Sequence, residues 1–236
     1  LETLFFRHMV YPLCGQANRH GLPIRPMARG LFYDQQLHAL QNSAEMALAP
    51  DIGLLRRAFQ GETAILVAAG PELPERLDYL RAQREKGLII AVNNALKPLL
   101  AGGVRPHFVV INDTSVYTAP SWAGLPTMPD IALVGHCLSN LGEGRFPMRF
   151  LFGSYRPELF GPRPSLRLHG SVITTAYSLA RHLGCARCVL VGAQLCSGDP
   201  WNLSYSRGSI HEKGRSAPKP LTDAYPQLVP VDSPFG

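Results

Sequence analysis

No stretch of this sequence approaches the roughly 18 consecutive apolar residues that a membrane-spanning helix needs, so no membrane partner is expected. The chain opens Leu1-Glu2-Thr3-Leu4, without an initiator methionine, a basic segment or a signal-peptide core. It is therefore expected to be a piece of a soluble cytoplasmic protein. Its 22 glycines and 21 prolines follow no period, which excludes collagen and repeat arrays. Cysteine is scarce and odd in number, five in all, with no disulfide-scaffold spacing. Cys185-Ala-Arg-Cys188 is a lone CxxC. A structural zinc site would want a second matched pair, which Cys137 and Cys196 do not make, so no metal is expected there. Charge is also sparse: charged residues make up 17% of the chain, with a formal excess of +6. Apart from small clusters at 55–57 and 212–219 the basic residues are scattered. A nucleic-acid protein would concentrate them in a stripe interleaved with aromatics, so no nucleic acid is expected. The weak positive field suits a cleft that attracts a phosphorylated small molecule.

The familiar chemical signatures are missing too. There is no GxGxxG fingerprint and no Walker A loop, and no Ser–His–Asp or Cys–His set has a defensible spacing. What remains is a globular chain of 236 residues with 46% hydrophobic content, enough for one generous domain.

Residues 1–60 read as a helical lead-in. Positions 32–48 and 52–59 have helical spacing, with Pro50 ending the first segment and Asp51 placed to cap the second. Residues 61–215 alternate strand and helix. The runs 63–69, 88–92 and 108–111 are apolar throughout, the pattern of strands covered on both faces. Segments 73–86 and 95–100 between them read as helices. Further strands are expected at 131–134, 149–152 and 188–191, and a strong helix at 172–183. Residues 216–236 read as a proline-rich tail or the start of a further region. The fold class is therefore α/β: a Rossmann-like, mostly parallel sheet flanked by helices, behind a helical N-terminal lead-in.

In such sheets ligands bind beyond the carboxyl ends of the strands, and polar residues gather at five of them. Gly70-Pro71-Glu72 follows the first strand, where a glycine lets backbone approach a ligand and free helix amides favour an anion; a tight connection alone is the plainer reading. Asn93 and Asn94 follow the second strand and could reach a base or sugar, although Asn94 would also serve as a helix cap. Asn112 and Asp113 follow the third, suited to a ribose or a metal ion, or simply to a turn. Ser171 and Thr174 open the helix at 172, as a phosphate cradle or as an N-cap. His211, beside Glu212 and Lys213 in a polar loop, is a candidate base.

Taken together, segments 65–73, 89–99, 105–113 and 170–195 resemble the domain shared by Maf (motility-associated factor) flagellin glycosyltransferases and MptE-like 6-hydroxymethylpterin diphosphokinases. The carrying residues are the strand ending in Gly70-Pro71, the Ala95-Leu-Lys-Pro-Leu99 helix, Pro106-His-Phe-Val-Val110 leading to Asp113, Gly170-Ser-Val172 and Val191-Gly192. The layout is also similar to the bacterial sialyltransferase fold. The resemblance implies a glycosyltransferase moving a nonulosonic, sialic-acid-like sugar from a CMP-sugar donor to Ser or Thr of a flagellin-like protein, with no obligatory cofactor. On this reading Gly70 and Pro71 border the nucleotide phosphate. Asn93 and Asn112 contact the nucleotide or sugar, Ser171 with Thr174 lies beside the phosphate or the sugar carboxylate, and His211 and Asp113 are catalytic. Glu72 stands where the family has serine, and Gln194 where it has aspartate. The alternatives are an MptE-like diphosphokinase using ATP and Mg²⁺, with Asp113 and either Glu72 or Asp199 on the metal, or an inactive nucleotide-sugar-binding module.

Overall fold

The computed structural model describes residues 26–168, 171–194 and 205–210. Six strands form one sheet: β1 (Thr63–Val67), β2 (Leu88–Val92), β3 (Phe108–Ile111), β4 (Ala132–His136), β5 (Arg149–Phe152) and β6 (Arg187–Val191). Their order is β5-β4-β3-β2-β1-β6, and every pairing is parallel. Parallel sheets need cover on both faces, and β2 and β3 are buried at every position.

The first five strands step across the sheet in one direction. Between them run a 3₁₀ turn (Leu73–Arg76), helix α3 (Leu77–Gln83), helix α4 (Asn93–Ala101) and a second 3₁₀ turn (Val116–Ser121). Leu73, Leu80 and Leu99 from these segments pack on Ile65, Val67 and Ile89; Leu96 and Trp122 pack on Val109 and Ile111. After β5 come the short helix α5 (Pro157–Phe160) and then α6 (Val172–His182). Ala176, Leu179 and Ala180 of α6 cover the other set of strand residues, Leu66, Ile90 and Val110. α6 delivers β6 to the far side of β1. The winding direction thus reverses between β1 and β6, and in open α/β sheets the crevice at such a reversal is where ligands sit.

The lead-in is built into this core. Helices α1 (Pro26–Gln41) and α2 (Ser43–Leu48) are separated at Asn42, whose buried amide nitrogen donates to the Cys137 and Ser139 carbonyls at 2.9 and 2.8 Å. Asn42→Ala strands two carbonyls beneath the lead-in, so a loss of about 2 kcal/mol is expected in chemical denaturation. Pro50 ends α2, and Asp51 accepts from the Gly53 amide at 2.6 Å, capping a 3₁₀ turn (Ile52–Leu55) whose Ile52 and Leu55 enter the core.

Several boundaries depart from the sequence reading. The helix expected over 52–59 stops after that one turn, because the Arg57, Phe59 and Gly61 amides bond the His182, Leu183 and Gly184 carbonyls at the end of α6, and Arg57 takes φ 59° to get there. The helix expected over 73–86 divides into the 3₁₀ turn and α3. Helix α4 starts at Asn93, so Val92 is the N-cap and Asn94 lies inside the helix.

Candidate functional site

The tips of β1 and β6 are joined beyond the strands themselves. The Ala68 amide donates to Val191 at 2.9 Å and the Gly70 amide to Gly192 at 2.7 Å. A Cβ on Gly70 would stand 2.4 Å from the Gly192 carbonyl oxygen, and one on Gly192 would stand 2.3 Å from that of Ala68. Both glycines are thus demanded by the neighbouring strand.

The half-buried Pro71 leads to Glu72, whose Oε2 accepts from Gln194 Nε2 at 2.6 Å; Arg76 stands 3.9 Å from the same oxygen. The two positions that depart from the resembled family pattern therefore hold each other. A carboxylate can only accept, so Gln194 must turn its nitrogen towards Glu72 and its oxygen away. That oxygen lies against Gly70, buried and without a hydrogen-bond partner among the described residues. The short segment 205–210 closes over the same tip, with the Ser206 amide donating to Ala69 at 2.8 Å. Ser206 is 0% exposed and Ser209 7%, and neither hydroxyl has a partner among the described residues.

The tips of β2 and β3 send their asparagines to opposite faces. Asn93 is buried and donates to Ser121 Oγ and Asn94 Oδ1, both at 3.1 Å, on the side covered by α4; its own Oδ1 has no partner among the described residues. Asn112 instead donates to Thr175 Oγ1 at 2.6 Å, which ties the β3 tip to the first turns of α6. There Ser171 occupies the N-cap in extended backbone, but its hydroxyl makes no capping bond. The Thr174 hydroxyl folds back onto the Ser171 carbonyl at 2.6 Å. Asp113 is exposed, and its Oδ1 accepts from the Ser115 amide at 2.9 Å, a local Asx turn. The structure thus brings Asn112, Ser171 and Thr174 together at one place and Gly70, Pro71, Glu72 and Gln194 at another, with Asn93 on the reverse side of the sheet. His211 lies outside the described residues, as do His169, Gly170 and Asp199.

A groove of about 990 Å³ opens between α6 and the edge strand β6, with Thr174, Tyr177, Arg181, Leu190, Ala193 and Arg167 in its wall. Ala193 follows Gly192, so the groove adjoins the β6 tip. Among the described residues no three His, Cys, Asp or Glu side chains cluster to hold a metal. Cys185 and Cys188 lie at and just beyond the junction of α6 and β6. Burial pushes the Cys185 thiol up to about 11, aided by Cys188 and Glu62, and also raises Cys188.

Sequence reasoning missed His136, the last residue of β4, because the strand was expected to end at 134. Its Nδ1 accepts from the Leu138 amide at 3.2 Å, its ring meets Phe152 edge-on at 5.4 Å, and burial lowers its pKa. Ser206 and Ser209 were also missed. The only signal was a polar loop, with nothing to show that it folds back onto β1.

The family described as 6-hydroxymethylpterin diphosphokinase MptE-like matches residues 37–200. No curated protein matches the chain. Among solved structures, a Maf glycosyltransferase from Magnetospirillum magneticum AMB-1 is similar at 17% identity and a TM-score of 0.55. The match covers 75% of this chain but 32% of that one, so the present chain spans about a third of that protein's length. At this identity the likeness shows a shared fold.

Proposed function

Because this chain belongs to the 6-hydroxymethylpterin diphosphokinase MptE-like family, we propose that it is a nucleotide-dependent transferase, and specifically that it moves a nonulosonic sugar from a CMP-sugar to a hydroxyl of a flagellin-like protein. The observation that carries this reading is the union of the β3 tip with α6. Asn112 is bonded to Thr175, the Ser171 hydroxyl is not spent on capping, and the first amides of the helix lie alongside. Such a berth suits a monophosphate leaving group. The fold likeness to a Maf glycosyltransferase supports the sugar.

In the reaction the acceptor oxygen forms a bond to the anomeric carbon while the bond from that carbon to the CMP phosphate oxygen breaks, its electron pair leaving with CMP. The free amides of the first turn of α6 and the Ser171 hydroxyl, which is not spent on capping, stabilise the departing charge. The acceptor proton passes to a base, for which His211 is the candidate, and Asp113 is the acidic group beside Asn112 at the β3 tip.

The family description itself favours a second reading, diphosphoryl transfer from ATP to a hydroxymethylpterin. That chemistry wants Mg²⁺ held by carboxylates between phosphates. The described carboxylates do not form a matched pair for it: Glu72 is held by Gln194 and Asp113 by its own turn, at the tips of non-adjacent strands.

Calorimetric titration with CMP, with ATP and with ATP plus Mg²⁺ separates the readings. CMP should bind without added metal. Binding of ATP only with Mg²⁺, and none of CMP, would establish the diphosphokinase reading instead. Binding of a CMP-sugar with no turnover on any acceptor would mark an inactive module.

A further inference from the structure

The resemblance puts a phosphate at the β1 tip, beside Gly70 and Pro71, but the chemistry gathered there is of the wrong sign. Glu72 brings a carboxylate with one oxygen held by Gln194. Gln194 turns its own oxygen onto Gly70, where it lies buried without a partner among the described residues, and the fully buried Ser206 brings a hydroxyl in the same condition. Ser206 is fixed to this place by its backbone bond to Ala69, one residue before Gly70. The phosphodiester of a CMP-sugar carries only acceptors at neutral pH, so it would meet the Glu72 carboxylate, whose charge Arg76 at 3.9 Å only partly offsets, and leave the Gln194 oxygen unsatisfied. An uncharged group with hydrogens to donate would satisfy both.

We propose that the joined tips of β1 and β6, at the winding reversal, recognise paired hydrogen-bond donors on the nucleoside half of the ligand, a ribose diol or an exocyclic amino group, through Glu72, Gln194 and Ser206. The nucleotide then lies with its sugar or base at the β1–β6 reversal and its phosphate at the start of α6, the opposite of the order implied by the resemblance. This assignment rests on the transferase reading for the identity of the nucleotide, but the donor-reading chemistry does not depend on which nucleotide binds.

Glu72→Gln keeps the size and halves the accepting power of the side chain. Against wild type, it should weaken CMP and cytidine by the same factor, about tenfold or more for a lost charged hydrogen bond. Inorganic phosphate should bind it no more tightly than it binds wild type. 2′-Deoxycytidine and uridine identify the donor: loss of the Glu72 effect on the deoxy compound assigns the diol, and on uridine the amino group. Ser206→Ala guards against a folding artefact. Removing a buried hydroxyl that has no partner among the described residues should leave the melting temperature unchanged or raised, while cytidine affinity falls severalfold. If Glu72→Gln tightens CMP or phosphate, or leaves cytidine unaffected while wild type binds it, the proposal is overturned and the transferase reading stands. If wild type binds ATP with Mg²⁺ and not CMP, the transferase reading falls. Adenosine against 2′-deoxyadenosine and inosine then reads the site in the same way: loss of the Glu72 effect on the deoxy compound assigns the diol, loss on inosine assigns the amino group, and no effect of Glu72→Gln on adenosine that wild type binds overturns the proposal. Binding of neither nucleotide overturns both.

Discussion

Gly192→Ala is expected to destabilise the protein by about 3 kcal/mol or more in urea denaturation. Two costs combine. Gly192 has φ 65°, a conformation that costs a residue with a Cβ roughly 1–2 kcal/mol. The added methyl would also stand 2.3 Å from the Ala68 oxygen, 3.2 Å from its carbon and 3.4 Å from the Gly70 nitrogen. These are backbone atoms, so no rotamer change relieves the clash. Only separation of the β1 and β6 tips would do so, at the loss of the Ala68–Val191 and Gly70–Gly192 hydrogen bonds, each worth about 1 kcal/mol. Gly103→Ala is the matched control: its φ is 72°, and a Cβ there meets nothing within 4 Å, so it carries the backbone cost alone. Equal losses in the two variants would mean that the tips are not packed as described. Because the closure of these tips also sets Gln194 against Gly70, a Gly192→Ala protein that still folds should bind nucleotide more weakly than Gly103→Ala.

The same two glycines show where the sequence is informative and where it is silent. Gly70 stands out as the end of an apolar run, since strands covered on both faces announce themselves by composition. Its reason for being glycine does not, because Gly192 and Gln194 meet it from a distant part of the chain. Local signals were dependable where local forces decide: β5 is found at 149–152 and β3 at 108–111 as expected, and Pro50 and Asp51 end one segment and cap the next. Local signals failed where a distant partner outbid the helix. At 57–61 the amides take carbonyls at the end of α6 in place of those one turn back. The direction of sheet winding lies beyond such reasoning too. Each βαβ step is fixed in hand, but whether a strand is laid before or behind the first depends on which face the crossover helix covers. The α6 stripe of Ala176, Leu179 and Ala180 has no feature that names that face. The site inherits this limit: Asn93 and Asn112 both end strands, yet one faces Ser121 and the other Thr175.

His211→Ala should lower transferase turnover by about 10²–10⁴-fold, the usual contribution of a positioned general base, while CMP affinity stays within twofold of wild type. The split matters because a residue that holds the nucleotide would move binding first, and one that supports the fold would move the melting temperature. Proton removal is needed only as the acceptor oxygen attacks, so its loss weakens the transition state and spares the ground state. The pH profile gives an independent reading. Wild-type turnover should fall towards acid as the imidazole takes up a proton and ceases to act as a base, and that acidic limb should vanish in His211→Ala, leaving a low and flat rate. Asp113→Asn offers the contrast. Its carboxylate oxygen already closes a turn on the Ser115 amide, a bond the asparagine oxygen can keep. A small effect there would assign Asp113 to the loop, and a loss matching that of His211→Ala would assign it to the chemistry. Wild-type turnover in His211→Ala would remove the base from this histidine, and His136 at the tip of β4 would then be the next histidine to substitute.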